Sequence, residues 1–172
     1  MVETTTLAMS KIFVFQDTLP HKKHQKNISQ QFLRHILQHC FNITSYDYIQ
    51  PHQGKPFLKE GPFFNISHSQ NKIVLALSFH RPVGIDIEYI KPRPHYHKIM
   101  KRFFAHEEQN KVESSDHPLE TFYDLWTQKE AFIKLMGGSI LSKEFQRHGQ
   151  FPVQFQKIQM KGYKGHVCYL DT

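Results

Sequence analysis

The sequence predicts an α+β fold, and the order of its periodicities is what predicts it. Segments with a side-chain period of two stand near the start, in the middle and at the end. Apolar stripes at helical spacing occur once before residue 41 and then in a block after residue 95. Between the middle strands and that block lies Lys91-Pro92-Arg93-Pro94, a stiff segment, because neither proline nor the residue before it favours helix.

Taken in order, Met1 to Ser10 lacks the charged-then-apolar order of a secretion signal and reads as a flexible lead-in. Lys11 to Phe15 is a short apolar run bounded by Asp17 and Pro20, which predicts a strand. From Asn27 to Cys40, the residues Ile28, Phe32, Leu33, Ile36 and Leu37 recur at helical spacing. Tyr46 to Pro56 is irregular and ends in the turn-forming Gly54-Lys55-Pro56. Phe63 to Ser69 and Lys72 to Phe79 are strand-like, and the short Gln70-Asn71 between them predicts a hairpin. Arg81-Pro82 turns the chain into Val83–Glu88, so these three strands read as an antiparallel meander.

Beyond the prolines, Tyr96, Ile99, Met100, Phe103 and Phe104 form one helical stripe, and a short helix follows from about Ala105 to Val112. Ser114 to Pro118 is a loop. Leu119 to Met136 is the strongest helix, with Phe122, Leu125, Trp126, Ile133 and Met136 on a broad apolar face and Gly137-Gly138 to end it. Phe151, Val153 and Phe155 alternate as in a strand, and Tyr163 to Leu170 predicts a last one. The expected organisation is a lead-in at 1–10, a first half at 11–90 and a second half at 91–172.

The chain has 172 residues, 39% hydrophobic and 13% aromatic, enough to build a core for one domain or two closely packed halves. No apolar run approaches the ~18 residues of a membrane span. Cys40 and Cys168 are far apart and match no metal spacing, so a soluble, cytoplasmic protein in a reducing compartment is expected. The formal charge of +7 calls for a polyanionic partner or substrate. The aromatics sit at core-like helical spacing rather than between clustered basic residues, which argues against nucleic acid. Of the 13 histidines, His35 and His39 have zinc-compatible spacing, and His95 lies close to His97. Third and fourth ligands are missing.

Function is written most densely in the acids. In Val83-Gly84-Ile85-Asp86-Ile87-Glu88, strand geometry puts the aliphatic residues on one face and both carboxylates on the other. Like charges on one face repel unless a cation lies between them, and oxygen donors favour a hard divalent ion such as magnesium. Glu130, in Trp126-Thr127-Gln128-Lys129-Glu130-Ala131-Phe132-Ile133-Lys134, is a third acid, on the long helix. The bland reading is a surface acid paired with Lys134 one turn on, which stabilises a helix by roughly 0.3 kcal/mol without any function. Lys129 and Lys134 flank Glu130 and could clamp a metal-bound diphosphate. Phe64-Asn65-Ile66-Ser67-His68-Ser69 offers hydroxyls and an imidazole that suit phosphate oxygens. The bland alternative there is a turn rich in hydrogen-bonding side chains.

These pieces stand in a recognisable order: Gly54-Lys55-Pro56, Phe64 to Ser69, Gly84 to Glu88, Lys101-Arg102-Phe103-Phe104, then Trp126 to Lys134. The ordered set resembles the 4'-phosphopantetheinyl transferases, specifically the broad-specificity monomeric type, densely from Gly54 to Gly138. The resemblance implies two similar α/β halves related by a pseudo-two-fold, each a small antiparallel sheet packed with helices. It implies a holo-acyl-carrier-protein synthase. Such an enzyme moves the phosphopantetheine arm of coenzyme A onto a serine of an apo acyl or peptidyl carrier protein and releases adenosine 3',5'-bisphosphate.

Residue by residue, the resemblance implies that Asp86, Glu88 and Glu130 hold magnesium, or manganese in its place. It implies that Ser67 and His68 hold the nucleotide's phosphates, that Lys55 meets the adenosine end, and that Lys129 assists. Glu108 falls on a proposed general base, with Glu107 as the alternative, and Lys134 falls on a lysine at the reacting phosphate. Lys22, Lys23 and Lys26 are candidates for further coenzyme A contacts. Ala105 stands where a capping Ser or Thr would pair with Glu108, which would leave Glu108 less fixed. The competing expectation is a non-catalytic relative that binds coenzyme A or a carrier protein.

Overall fold

The computed structural model describes residues 2–7, 11–19, 25–52, 54–138 and 151–171. Along the chain these form β1 (Glu3–Leu7), β2 (Ile12–Thr18), α1 (Gln25–Phe41), β3 (Asp47–Ile49), β4 (Phe57–Lys59), β5 (Phe63–Ser69) and β6 (Lys72–Ser78). There follow β7 (Val83–Tyr89), α2 (Tyr96–Phe103), α3 (His106–Glu113), α4 (Pro118–Met136), β8 (Val153–Lys157) and β9 (Tyr163–Leu170). The fold is α+β. The first sheet has the order β1-β2-β6-β5, the second β7-β9-β8, and β3 and β4 make a separate ribbon.

Two expectations change. Glu3–Leu7 lies within the expected lead-in, yet it is strand β1, paired with Ile12–Gln16 of β2. Its run of β-branched threonines suits a strand, and the free edge of β2 supplies the partner. The meander also ends early. β6 already has β2 on one side and β5 on the other, so no edge remains for β7. β7 instead pairs antiparallel with β9, Asp86 standing opposite His166. The sheets therefore divide at the turn between β6 and β7, ahead of the Lys91–Pro94 segment.

Each layer follows from an apolar face. α1 places Phe32, Leu33, Ile36 and Leu37 on Phe15, Phe64, Ile73, Leu75 and Leu77 of the first sheet. The opposite face of that sheet, Ile12, Val14, Val74 and Ala76, packs on Val83, Ile85, Ile87 and Val167 of the second. Buried on both faces, β6 is nearly continuous in apolar residues. The other face of the second sheet receives α4 through Ala131, Phe132, Leu135 and Cys168. The far side of α4 carries Phe122, Tyr123, Leu125 and Trp126 against Met100 and Phe104 of the α2 region and Val112 of α3. Among the described residues, no helix is long and apolar enough to cross a membrane.

Gly84 sets the distance between α4 and β7. A Cβ there would lie 2.0 Å from the Ala131 carbonyl oxygen and 2.5 Å from the Leu135 amide nitrogen, so backbone rests on backbone. Gly137 is needed for a different reason: it caps α4 at φ 69° in open space. We expect Gly84→Ala to destabilise the protein by about 3 kcal/mol, the upper range of overpacking. Gly137→Ala should cost only about 1 kcal/mol, the strain of a left-handed alanine. Urea unfolding of both variants checks this, and equal losses would contradict the seating of α4 on Gly84.

Candidate active site

β7 is an edge strand, and its outward backbone groups find side chains where a neighbouring strand would offer backbone. Asn65 Oδ1 accepts from the Ile85 amide at 2.9 Å, Ser67 Oγ from Ile87 at 3.3 Å and Ser69 Oγ from Tyr89 at 3.0 Å. Lys55 Nζ donates to the Val83 carbonyl at 3.0 Å. Alternation on β5 places residues 65, 67 and 69 on one side, so a period-two polar row meets a period-two row of amides.

The same hydroxyls orient the acids. Ser67 Oγ donates to Asp86 Oδ1 at 2.9 Å, and Ser69 Oγ donates to Glu88 Oε2 at 2.9 Å. Lys134 Nζ reaches Asp86 Oδ1 at 2.7 Å and Ser67 Oγ at 3.1 Å. Asp86 Oδ2 is buried and, among the described residues, has no hydrogen-bond partner. Glu130 approaches from α4. Burial, then the charge of Asp86, with a smaller contribution from Glu88, pushes its carboxyl up to about 7, against the pull of Lys134. Burial also raises Glu88, opposed by its bond from Ser69. The three acids thus share one field with Lys134.

Among the described residues, no three Asp, Glu, His or Cys side chains stand close enough to ligate one ion as they are placed. The donor set nonetheless fits a hard divalent cation. It offers three carboxylates in one field and a buried oxygen that lacks a partner among the described residues, with Lys134 as the counter-charge bonded to Asp86. His35 and His39 pack at 4.5 Å between ring centroids with their planes tilted by 42°, and form no such cluster among the described residues.

The remaining predicted residues fall in three places. Lys129 is nearly buried and pairs with Glu108 at 2.9 Å, so it turns away from Lys134. Glu108 Oε2 also accepts from the Ala105 amide at 2.7 Å. Ala105 supplies no side-chain acceptor in return, but the lysine supplies the fixing that the missing half of the cap would have given. Glu107, the alternative acid, is exposed. Ser67 and His68 lie on opposite faces of β5: Ser67 is buried among the acids, while His68 is exposed. His68 lines a cleft of about 290 Å³ with Ser29, Gln30, Tyr48, Gln50 and Asn65. Lys55 lines a second cleft of about 340 Å³, and Pro56 borders both. Burial lowers the Lys55 ammonium to about 8. Lys22 and Lys23 lie outside the described residues, as does the side chain of Lys26.

Sequence reasoning gave no separate role to Asn65 and Ser69, or to Thr127 and His166. Polar residues at period two on an otherwise apolar strand were the available signal for the first pair. For His166, the signal was a lone imidazole between glycine and valine in a buried strand.

Because Glu130 is the acid shifted furthest up, the native state holds its proton up to about pH 7, whereas an unfolded glutamate releases it near 4.5. Native protein binds more protons in that window, so stability falls as pH rises through it. From about pH 5 to about pH 8 in EDTA, the protein should lose on the order of 2 kcal/mol through this group, after discounting for screening. Glu130→Gln should flatten the dependence. Urea unfolding across the range measures it, and an unchanged slope in the variant would show that another group carries it.

Comparison with known proteins bears on this arrangement. A family model described as the 4'-phosphopantetheinyl transferase superfamily matches residues 82–166, which run from β7 into β9 and include all three acids. The 4'-phosphopantetheinyl transferase Sfp of Bacillus subtilis is 34% identical over 166 residues, 88% of this chain and 70% of that protein. The 4'-phosphopantetheinyl transferase AcpT of Escherichia coli K12 is 38% identical over 134 residues, 73% of this chain and 68% of that protein. A Synechocystis relative is 44% identical over 94 residues, which make up 51% of this chain and 38% of that protein.

Proposed function

The chain belongs to the 4'-phosphopantetheinyl transferase superfamily, and from that premise we propose that it transfers the 4'-phosphopantetheine group of coenzyme A to a serine hydroxyl of an apo acyl or peptidyl carrier protein. Adenosine 3',5'-bisphosphate is the other product. The observation that carries this reading is the gathering of Asp86, Glu88 and Glu130 in one field with Lys134, beside a buried Asp86 oxygen that lacks a partner.

Transfer at phosphorus asks a protein for positioning and charge neutralisation more than for covalent chemistry. Asp86, Glu88 and Glu130 would hold magnesium or manganese. The bound ion would supply positive charge to the diphosphate oxygens of coenzyme A and leave room for waters and substrate in its shell. Ser67 and Ser69 keep Asp86 and Glu88 turned toward that position. Lys134 offers its ammonium to the reacting phosphate once an anion competes with Asp86 for it. Glu108, held by Lys129 and the Ala105 amide, accepts the proton that the carrier's serine gives up on attack. The cleft beside His68 takes the nucleotide's phosphates, and the Lys55-Pro56 wall meets its adenosine end. The formal charge of +7 suits both polyanionic coenzyme A and an acidic carrier.

The test is intact-mass spectrometry of an apo acyl carrier protein incubated with this protein, coenzyme A and magnesium. The expected result is a gain of one phosphopantetheine group, absent in EDTA. No gain across acyl and peptidyl carriers, with coenzyme A binding intact, would favour a non-catalytic relative. Asp86→Ala and Glu130→Ala should each lower the rate by more than about a hundredfold while the fold survives. Survival is expected because Asp86→Ala also removes an unpartnered buried oxygen. His68→Ala should raise the Kd for coenzyme A about tenfold, the value of one hydrogen bond. An unchanged Kd by calorimetry would remove His68 from that role.

A further inference from the structure

Glu130 reaches the acids of β7 only if α4 lies at one rotation and one axial position on the second sheet. Gly84 fixes how close the helix comes, but a helix in contact can still slide or roll. A buried polar contact restricts both motions. Thr127, fully buried on α4, has its Oγ1 at 3.0 Å from the Tyr123 carbonyl, 3.1 Å from the Asp124 carbonyl and 2.9 Å from Nδ1 of His166. The hydroxyl proton goes to the helix carbonyls, so its lone pair accepts from Nδ1–H. Nε2 then faces the Gln128 amide at 3.4 Å, with Asp124 Oδ1 farther off at 3.7 Å. Burial lowers the His166 imidazole to about 4, which keeps it neutral. On β9, His166 stands directly opposite Asp86, and on α4, Thr127 precedes Glu130 by one turn. One hydrogen bond therefore joins the strand position facing one acid to the helix position beside another.

We propose that His166 is a positioning residue: its Nδ1–H bond to Thr127 sets the register of α4 and so the placement of Glu130 against Asp86 and Glu88. This rests on reading those acids as a cation site. A histidine that only filled the core would affect stability, with no preference for where its donor sits.

The test uses the full chain and compares His166→Ala, His166→Asn and His166→Gln. Asparagine puts an N–H near the Nδ1 position, whereas glutamine puts one near Nε2. Manganese binding is read from the free-ion paramagnetic resonance signal, folding from circular dichroism, and transfer from a magnesium titration. His166→Ala and His166→Gln should weaken manganese binding about tenfold, as lost supporting contacts to a metal site do. His166→Asn should remain within about twofold of the parent, and the magnesium requirement of transfer should move in the same order. Equal losses in the Asn and Gln variants, or wild-type affinity in either Ala or Gln, would overturn the positioning role. If the Ala variant does not fold, the Asn–Gln contrast decides alone. A parent protein that binds no manganese and transfers nothing would overturn the cation-site reading together with this proposal. A parent that binds, with variants that do not differ from it, overturns only the proposal.

Discussion

The arrangement of the whole molecule depends on how one exposed strand edge is satisfied. β7 turns the Val83 carbonyl and the amides of Ile85, Ile87 and Tyr89 away from its partner β9. Asn65, Ser67 and Ser69 of the first sheet meet the amides, and Lys55, from the segment between β3 and β4, meets the carbonyl. A buried backbone group left without a partner costs about 1–3 kcal/mol, so this row of contacts decides whether the two sheets join here at all. Because Ser67 and Ser69 also donate to Asp86 and Glu88, the contacts that close the edge are those that aim the acids. Architecture and chemistry share the same hydroxyls.

The electrostatics run against the packing. The charge of Asp86 adds to burial in raising the proton affinity of Glu88 and Glu130, and Lys134 opposes only part of that effect. Such a site is tolerated in a folded chain when the surrounding structure over-determines it. Here the determinants are the Gly84 contact that seats α4, the serines of β5 and the Lys129–Glu108 pair on the helix's other flank. The cost in stability leaves the acids poised for added positive charge.

Much of this was legible in the sequence, and the parts that were not share a cause. Local periodicity placed α1, the hairpin of β5 and β6, α4 and the alternation of acids with aliphatics in β7. Partners distant along the chain could not be read that way. Nothing local distinguishes β7 beside β6 from β7 beside β9, and the short Arg81-Pro82 turn favoured the wrong neighbour. Glu3–Leu7 looked structureless because its order comes from the edge of β2. Ser67 and His68 are adjacent in sequence, but strand alternation sends one inward to Asp86 and the other outward to a cleft. Lys129 and Lys134 looked like a pair around Glu130 until helix geometry gave each its own acid.

The division of the sheets between β6 and β7 carries a consequence for assembly. Among the described residues, every strand of the first sheet precedes that turn and every strand of the second follows it, so each sheet is closed over one continuous stretch of chain. The site belongs to neither stretch. Its carboxylates come from the later one, and the hydroxyls that turn two of them come from the earlier. A folding intermediate in which both sheets had formed but had not met would lack the serine contacts that orient Asp86 and Glu88. Competence therefore arises where the two sheets dock, as a property of the seam.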